Sequence, residues 1–203
     1  MTFPADSFRR VDETPDSLFY RQPRFVEHID DQAIDAVTQL YREVLPSDGA
    51  ILDLMSSWVS HLPSEIAYPN VVGLGMNRAE LEANPRLHRW VVHDLNQDPK
   101  VPFDDDEFDA TVICVSIQYL TRPVEVLRDV GRVVRADGSL AITFSNRCFP
   151  TKAVAIWQAL DDVGQAHLIR QYLEDAGTWR SIEAQERTNR PGDPLFAVVA
   201  RAT

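Results

Sequence analysis

The sequence predicts an α/β fold with a single, mostly parallel sheet of seven strands, helices on both faces and one antiparallel strand. Short apolar runs, typical of buried strands, alternate with longer segments whose apolar residues recur every three or four positions, as in amphipathic helices. This alternation indicates βαβ units, in which the connected strands run parallel. The last two predicted strands follow each other without a helix between them, so at least one is expected to be antiparallel.

The first half of the chain supplies one predicted helix and three predicted strands. Apolar residues at helical spacing, such as Val37 and Leu40, predict an amphipathic helix over 30–45, which Pro46 ends. Short apolar runs without helical spacing follow this helix. They predict strands over 50–55, 70–74 and 89–93.

The second half supplies two helical patterns and four more strands. The longest apolar run predicts a central strand over 108–117, and Pro123 in a first-turn position opens a helix over 123–134. A longer helical pattern over 152–176 ends at Gly177. The remaining strands are expected over 139–145, after a turn at 137–138, and over 179–186 and 195–201, on either side of a loop over 189–194.

Composition limits the classes of function. The chain has 203 residues, 44% hydrophobic and 25% charged, which is close to the globular average and enough for one domain. Its net charge of −11 repels phosphate backbones and argues against a nucleic-acid partner. No run reaches the ~18 apolar residues of a membrane helix, and no secretory signal opens the chain, so we expect no membrane partner and a cytoplasmic protein. The five histidines and two cysteines form no recognisable zinc pattern, so no metal is expected.

Residues 1–29 form a segment of a different kind. The segment is polar, carries prolines and is dotted with aromatic residues such as Phe19, Tyr20 and Phe25. It cannot bury these side chains by itself, which leaves two interpretations: an arm or lid docked on the main domain, or an ordinary packed extension. We expect an arm or lid over 1–29 and one domain over 30–203.

Polar side chains at the carboxyl ends of the strands are the first candidates for a site, because open parallel sheets bind their ligands beyond these ends. Asp53 is a charge inside the first apolar run, so it either caps the next turn or faces a ligand. Asn77, after the second strand, either caps a helix over 78–83 or contacts a ligand. Asp94, after the third strand, either caps its loop or binds a ligand amine.

The fourth and fifth strands add further candidates. Ser116, Gln118 and Tyr119 would border the same cleft and would alternate between the faces of the sheet if the strand continues. Asn146 and Arg147 either bind a polar or anionic group or lie on a surface turn. Neither G-x-G-x-x-G nor GxxxxGK[ST] nor G-x-S-x-G occurs, which argues against nicotinamide, nucleotide and hydrolase sites and leaves the catalytic residues unknown.

The run from residue 50 to 146 resembles the class I S-adenosylmethionine-dependent methyltransferases, in particular the methyltransferase type 11 group. The most specific similarity is V-x-R-x-x-G at 133–138, which precedes a predicted strand. The resemblance implies a Rossmann-like sheet, S-adenosyl-L-methionine as the cofactor and methyl transfer to a small-molecule substrate. The similar motifs are ILDLMSS, VVGLGMN, HDL followed by VPFDDDEFD, and VSIQYLTRPVEVLRDVGRVVRADGSLAITFSNR.

The chain departs from the family pattern at the first motif, which usually reads D-x-G-x-G-x-G. Met55, Ser57 and Val59 stand in the three glycine places, and Gly75 stands where the second strand usually ends in an acid that binds the ribose. A side chain in a glycine place restricts the close approach of a ligand. We expect a serine-rich turn, with helix N-terminal N–H groups around 57–60, to bind the carboxylate of the cofactor.

Carried over residue by residue, the resemblance implies two sets of contacts. In the first set, Asp53 orients the amino-acid end of the cofactor, Asn77 replaces the missing ribose acid, and Asp94 accepts a hydrogen bond from the adenine amino group. The expected cofactor-binding residues are Asp53, Met55, Ser56, Asn77, Asp94, Leu95 and Ser116. The expected substrate-binding residues are Tyr20, Gln118, Tyr119, Asn146 and Arg147.

Two functions remain open on the sequence alone. The first is a methyltransferase that uses S-adenosyl-L-methionine. The second is a non-catalytic binding or regulatory domain that keeps the fold without the methyl donor, which the loss of the motif glycines favours. Retention of Asp53 and Asp94 favours the first.

Overall fold

Seven strands lie in the part of the chain that this computed structural model describes, residues 3–188 and 191–203, and they form one sheet in the order β3-β2-β1-β4-β5-β7-β6. β7 runs antiparallel to both of its neighbours, whereas the other neighbouring strands pair in parallel. The predicted fold is therefore confirmed, although the predicted loop over 189–194 lies partly outside the described residues. The strands are β1 (Ala50–Leu54), β2 (Asn70–Gly75), β3 (Arg89–Val92), β4 (Phe108–Cys114), β5 (Val134–Phe144), β6 (Trp179–Glu186) and β7 (Phe196–Ala202).

Two of the helices begin at aspartate caps. Asp30 Oδ1 accepts a hydrogen bond from the Ala33 N–H at the start of α2, and Asp161 Oδ1 accepts one from the Gly164 N–H at the start of α6. Because Asp161 opens a new helix, the helical pattern predicted over 152–176 is divided into α5 and α6. The helices are α1 (Asp16–Phe19), α2 (Asp31–Val44), α3 (Arg78–Ala83), α4 (Pro123–Val133), α5 (Ala155–Gln158) and α6 (Asp162–Ala176).

Two apolar layers hold the sheet between its helices. α2 buries Val37 and Leu40 in one layer, and α4 and α6 bury Val126 and Ile169 in the other. Burying a large aliphatic side chain stabilises the fold by about 1.5–3 kcal/mol, so these layers supply most of the stability. With both faces covered, the carboxyl ends of the strands are left as the place for a site. None of the helices within residues 3–188 and 191–203 has the length and apolar content that a membrane span requires.

Two strands differ from the sequence prediction. β4 ends at Cys114 instead of residue 117, because Val115, with a φ of 46°, turns the chain out of the sheet and into a 3-10 turn over Ile117–Tyr119. The expected alternation of side chains beyond Cys114 is therefore wrong. β5 begins at Val134, so the turn expected at 137–138 lies inside the strand, where its pairing with β4 is shifted.

Candidate functional site

A cavity of about 290 Å³ lies at the carboxyl ends of β1 to β4. Asp53 of β1 and Gly75 of β2 line one part of it. Tyr20, Arg24 and residues 26–29 of the N-terminal segment line another. Small-molecule pockets span roughly 300–1,000 Å³, so this cavity has the size of a compact small-molecule site.

Asp53 lies in β1 and is only 3% exposed. Its Oδ2 atom accepts hydrogen bonds from the hydroxyl groups of Ser56 and Ser60, both at 2.6 Å. Desolvation raises the pKa of Asp53 to about 6, and the two serine hydroxyls lower it in part. Oδ1 receives no hydrogen bond from the described residues, so this oxygen is available to a cationic or donor group in the cavity.

The connection between β1 and β2, residues 55–69, contains no helix. The expectation of helix N-terminal N–H groups around 57–60 is therefore wrong, and an anion finds no helix end there. The Ser56 N–H donates instead to the Leu74 carbonyl at 2.8 Å, which holds the loop against the end of β2. Met55 occupies the first glycine place with a φ of 59°, a left-handed conformation that costs a residue with a side chain some strain.

The end of β2 has no room for an acidic side chain. A Cβ atom added to Gly75 would lie 2.2 Å from the backbone oxygen of Ser56, well inside van der Waals contact, and 3.1 Å from the Leu81 side chain. The loop after β1 has thus moved into the volume that a side chain at position 75 would need. Glycine is required here by this close approach.

Asn77 connects α3 to the N-terminal segment. Its Oδ1 accepts hydrogen bonds from the N–H groups of Ala79 and Glu80, which confirms the capping role. Its Nδ2 donates to the carbonyl oxygens of Tyr20 and Arg21, at 2.8 and 3.2 Å. These four bonds use the full capacity of an asparagine amide, so Asn77 lines the cavity without a free group to offer a ribose.

The residues after β3 and β4 bring two polar groups to the cavity. Asp94 Oδ1 caps its own loop by accepting the N–H groups of Asn96 and Gln97, while its other oxygen has no hydrogen bond from the described residues. Leu95 is buried and lines the same cavity. Ser116 also lines it, and its Oγ atom is buried without a hydrogen-bond partner. An unsatisfied buried hydroxyl is costly, so a ligand that bonds to it would relieve this cost.

The residues predicted to bind the substrate divide into two groups. Tyr20, Tyr119 and Arg147 line the cavity, whereas Gln118 and Asn146 do not. Gln118 is 1% exposed, and its Nε2 donates to the backbone carbonyl three residues earlier, at 3.0 Å. Asn146 is exposed on the surface. The Gln118 side chain turns into the interior because β4 ends early, at Cys114, whereas Asn146 lies on the surface after the end of β5.

Several side chains outside any motif complete the cavity. The Arg24 guanidinium lies over three rings, 4.6 Å from the centroid of Phe19, 5.2 Å from that of Phe149 and 5.8 Å from that of Tyr20. The aromatic residues of 1–29 predict that this segment packs against the domain, but the sequence does not indicate where it packs. Arg24, His28, His61, Glu80 and Phe149 are among these further cavity residues.

A buried ion network holds the N-terminal segment in place. Arg10 Nη1 donates to both carboxylate oxygens of Asp16, at 2.8 and 2.9 Å, and Asn96 Nδ2 donates to Oδ2 at 2.8 Å. The fully buried Lys152 places its Nζ 3.2 Å from Asp16 Oδ1 and donates to the Thr14 carbonyl at 2.6 Å. Desolvation raises the pKa of Asp16, but the hydrogen bonds from Arg10 and Asn96 outweigh it and lower the pKa. The carboxylate therefore stays ionised and paired.

The residues that line the cavity carry more formal negative charges than positive ones. Burial lowers the pKa of His61 to about 4, so its imidazole is neutral at pH 7. Burial raises the pKa of Cys148, which keeps this thiol protonated and weakly nucleophilic. Within residues 3–188 and 191–203, no group of three or more potential ligands is arranged to hold a metal ion. An acidic cavity favours a cationic ligand. Its charged residues are Asp16, Glu27, Asp53, Glu80 and Asp94 against Arg24 and Arg147.

Comparison with known proteins adds two kinds of similarity. Residues 56–142 match the family model described as a methyltransferase domain. A stretch of 68 residues is 35% identical to the ubiquinone/menaquinone biosynthesis C-methyltransferase UbiE of Ruegeria sp. (strain TM1040). That stretch is 34% of this chain and 26% of the relative, so the chain spans about a quarter of the length of the curated relative it matches.

Solved structures share the fold at low identity. The PH0226 protein from Pyrococcus horikoshii OT3 is 16% identical with a TM-score of 0.65, over 92% of this chain and 99% of that one. An S-adenosylmethionine-dependent methyltransferase from Mesorhizobium loti is 17% identical with a TM-score of 0.58, over 83% and 99% of the two chains. The matched domain implies S-adenosyl-L-methionine as the cofactor. Residues 56–142 are therefore similar to the methyltransferase domain family, and the chain as a whole shares the fold of these solved structures.

Proposed function

We propose that the chain binds S-adenosyl-L-methionine in the cavity and transfers its methyl group to a small-molecule acceptor. The observation that carries this proposal is the position of four predicted residues: Asp53, Asp94, Leu95 and Ser116, from the ends of β1, β3 and β4, all line one acidic cavity. The cofactor is cationic at its sulfur and at its ammonium group. Formal negative charge around it therefore supports binding.

The side chains fit the cofactor at both of its ends. Asp53 Oδ1 has no partner among the described residues and suits the ammonium group. The second oxygen of Asp94 suits the adenine amino group, and the buried Leu95 suits the face of the ring. Ser116 supplies an unpartnered hydroxyl. The fit differs from the family pattern at the ribose, where Gly75 and the Ser56 carbonyl leave no room for an acid.

When bound, S-adenosyl-L-methionine supplies an electrophilic methyl group on a positively charged sulfur. The residues of the chain then have to hold an acceptor in line with that methyl group, and such positioning supplies a large part of the barrier reduction in two-reactant chemistry. Residues 1–29 act as a lid in this proposal, and residues 30–203 form the methyltransferase-like domain. The ion network at Asp16 supports this role, because it ties the segment that lines part of the cavity to Asn96 and Lys152 of the main domain.

A small acceptor is supported by the lining of the cavity, to which Tyr20 and residues 26–29 of the N-terminal segment contribute. The rings of Tyr20, Tyr119 and Phe149 lie on its wall together with the Arg147 side chain. Ring centroids of Tyr119 and Phe149 are 5.8 Å apart. These side chains are the proposed acceptor contacts.

A non-catalytic role is the second candidate, and one observation favours it. The loop after β1 has lost its three glycines, forms no helix and fills the space beside Gly75. A domain that no longer binds the methyl donor would tolerate these changes. Cofactor binding distinguishes the two candidates, because only the first requires it.

Isothermal titration calorimetry with S-adenosyl-L-methionine and with its demethylated product, S-adenosylhomocysteine, tests the proposal. We expect one-to-one binding of both. Asp94→Ala is expected to weaken binding of the product by roughly tenfold or more, since a hydrogen bond to a charged group is worth about 1.5–3 kcal/mol.

Asp104→Ala is the matched control, because Asp104 is exposed and lies outside the cavity. No heat at millimolar ligand with folded wild-type protein would contradict the proposed function. Equal affinities for Asp94→Ala and wild type would show that adenine does not lie beside Asp94.

A further inference from the structure

We propose that Glu80, at the start of α3, supplies the carboxylate that binds the two ribose hydroxyls of the cofactor. This inference rests on the proposed function and assigns a contact within the same cavity. Vicinal hydroxyls are two hydrogen-bond donors, and one carboxylate can accept from both.

The end of β2 cannot provide this acceptor. Position 75 is a glycine whose added Cβ would collide with the Ser56 carbonyl at 2.2 Å. Asn77, two residues later, has all four of its amide hydrogen-bonding positions occupied. A carboxylate that binds the ribose must therefore come from another part of the cavity wall.

Three of the other cavity carboxylates are committed elsewhere. Asp16 accepts hydrogen bonds from Arg10 and Asn96 and is close to the buried Lys152 ammonium. Asp53 and Asp94 lie at the ends of β1 and β3, where the two ends of the cofactor are placed. Glu80 and Glu27 remain.

The Glu80 carboxylate lies close to the end of β2, where the ribose-binding acid is missing. Its Oε2 accepts a hydrogen bond from Ser57 Oγ at 2.7 Å, so the carboxylate contacts the loop that fills the space beside Gly75. Its Oε1 accepts one from the Arg24 N–H at 2.7 Å. A carboxylate oxygen has two acceptor positions, and each oxygen of Glu80 therefore keeps one free. Glu27, in contrast, is exposed and forms no hydrogen bond with the described residues that would hold it towards the cavity.

The geometry around Glu80 is well determined by its neighbours. Asn77 caps α3 and fixes the first turn, in which Glu80 lies. The next residue, Leu81, is 1% exposed and would be 3.1 Å from a Cβ on Gly75. The first turn of α3 is thus packed directly against the end of β2, and the Glu80 carboxylate can take over the contact that position 75 has lost.

Calorimetry on the full chain tests the inference with two ligands, S-adenosylhomocysteine and its 2′,3′-dideoxy analogue. Wild type is expected to bind the diol form about ten- to a hundredfold more tightly, as for a hydrogen bond to a charged acceptor. Glu80→Gln is expected to reduce this preference to about threefold or less. Glu82→Gln, an exposed glutamate on the same helix, is the matched control and should keep the full preference.

The possible results distinguish a direct contact between Glu80 and the ribose from a purely structural role of Glu80. If Glu80→Gln weakens both ligands by the same factor, Glu80 only supports Ser57 and Arg24, and the inference is wrong. An undiminished preference in Glu80→Gln, a preference lost in Glu27→Gln instead, or equal binding of the two ligands by wild type would also overturn it. If folded wild type binds neither ligand, the proposed function itself fails, and this assignment fails with it.

Discussion

Replacing Asp53 by asparagine should stabilise the folded protein at neutral pH. Asp53 is 3% exposed, and desolvation raises its pKa from 3.8 to about 6. Between these two pH values the folded state retains a proton that the unfolded state has lost. The free energy of unfolding therefore falls as the pH rises from about 4 to about 6, and it stays reduced above that range.

The magnitude follows from the size of the pKa rise. A rise of about two pH units corresponds to about 3 kcal/mol, at ~1.4 kcal/mol per unit, of stability lost at pH 7.5. Asparagine keeps one oxygen to accept the hydroxyls of Ser56 and Ser60 and carries no charge to desolvate. We expect Asp53→Asn to exceed wild type by about 2–3 kcal/mol at pH 7.5 and to match it near pH 4.

Urea unfolding of wild type and variant between pH 4 and 7.5 measures this difference. The two proteins are compared at each pH because His61 also makes stability depend on pH. Its pKa is lowered to about 4, so the stability that it contributes is lost as the pH falls from 6.5 towards 4. That opposite slope is common to both proteins and cancels. Asp35→Asn, at an exposed position of α2, is the control for removal of a charge.

A stability difference that does not vary with pH, or a variant less stable than wild type at pH 7.5, would show that the buried charge of Asp53 does not destabilise the fold. The same substitution should weaken binding of S-adenosyl-L-methionine, because the proposed partner of its ammonium group is removed. A gain in stability with a loss of affinity is the pattern expected of a residue kept for function.

Two further substitutions test the loop and the lid. Gly75→Ala should lower the free energy of unfolding by about 1–3 kcal/mol, as overpacking does, because its Cβ would lie 2.2 Å from the Ser56 backbone oxygen; an unchanged urea midpoint would contradict this. Lys152→Met removes the buried ammonium group 3.2 Å from Asp16 but leaves the Arg10 pair, so we expect faster proteolytic cleavage before residue 30 with the remaining domain intact. Cleavage at the wild-type rate would show that this contact does not hold the lid.

The sheet was predictable because its signals are local. Parallel strands buried on both faces occur as continuous apolar runs, as β1 and β2 do, and β1, β2 and the more exposed edge strand β3 all lie within one residue of their predicted bounds. The cap at Asn77 is equally local, since its side chain bonds to backbone groups two and three residues away. Periodicity and capping patterns are sufficient for elements of this kind.

The shape of the site depends on contacts between distant parts of the chain. The loop after β1 has the composition of a turn, but its path is set by the bond from Ser56 to the Leu74 carbonyl and by the absence of a side chain at Gly75. The turn at Val115, with its positive φ, has no sequence signal in a β-branched residue. The conformation of these loop and turn residues is set by the strands that they connect, so it becomes apparent only in the assembled sheet.

The N-terminal segment illustrates the same limit. The aromatic residues of 1–29 indicated a docked segment, and its ion network joins Asp16 to Lys152, more than a hundred positions away. The hydrogen bond from the Arg24 N–H to Glu80 in the cavity wall follows from this docking. Charged residues of this kind have no periodic pattern, so composition alone cannot separate them from a solvated surface.

A crystal structure of the full chain grown with S-adenosylhomocysteine would show whether the cavity holds the cofactor. We expect electron density for the nucleoside in the cavity, with the adenine beside Asp94 and Leu95 and the homocysteine ammonium group within hydrogen-bond distance of Asp53. A folded chain whose cavity stays empty at millimolar ligand, or a ligand bound elsewhere on the surface, would contradict this expectation.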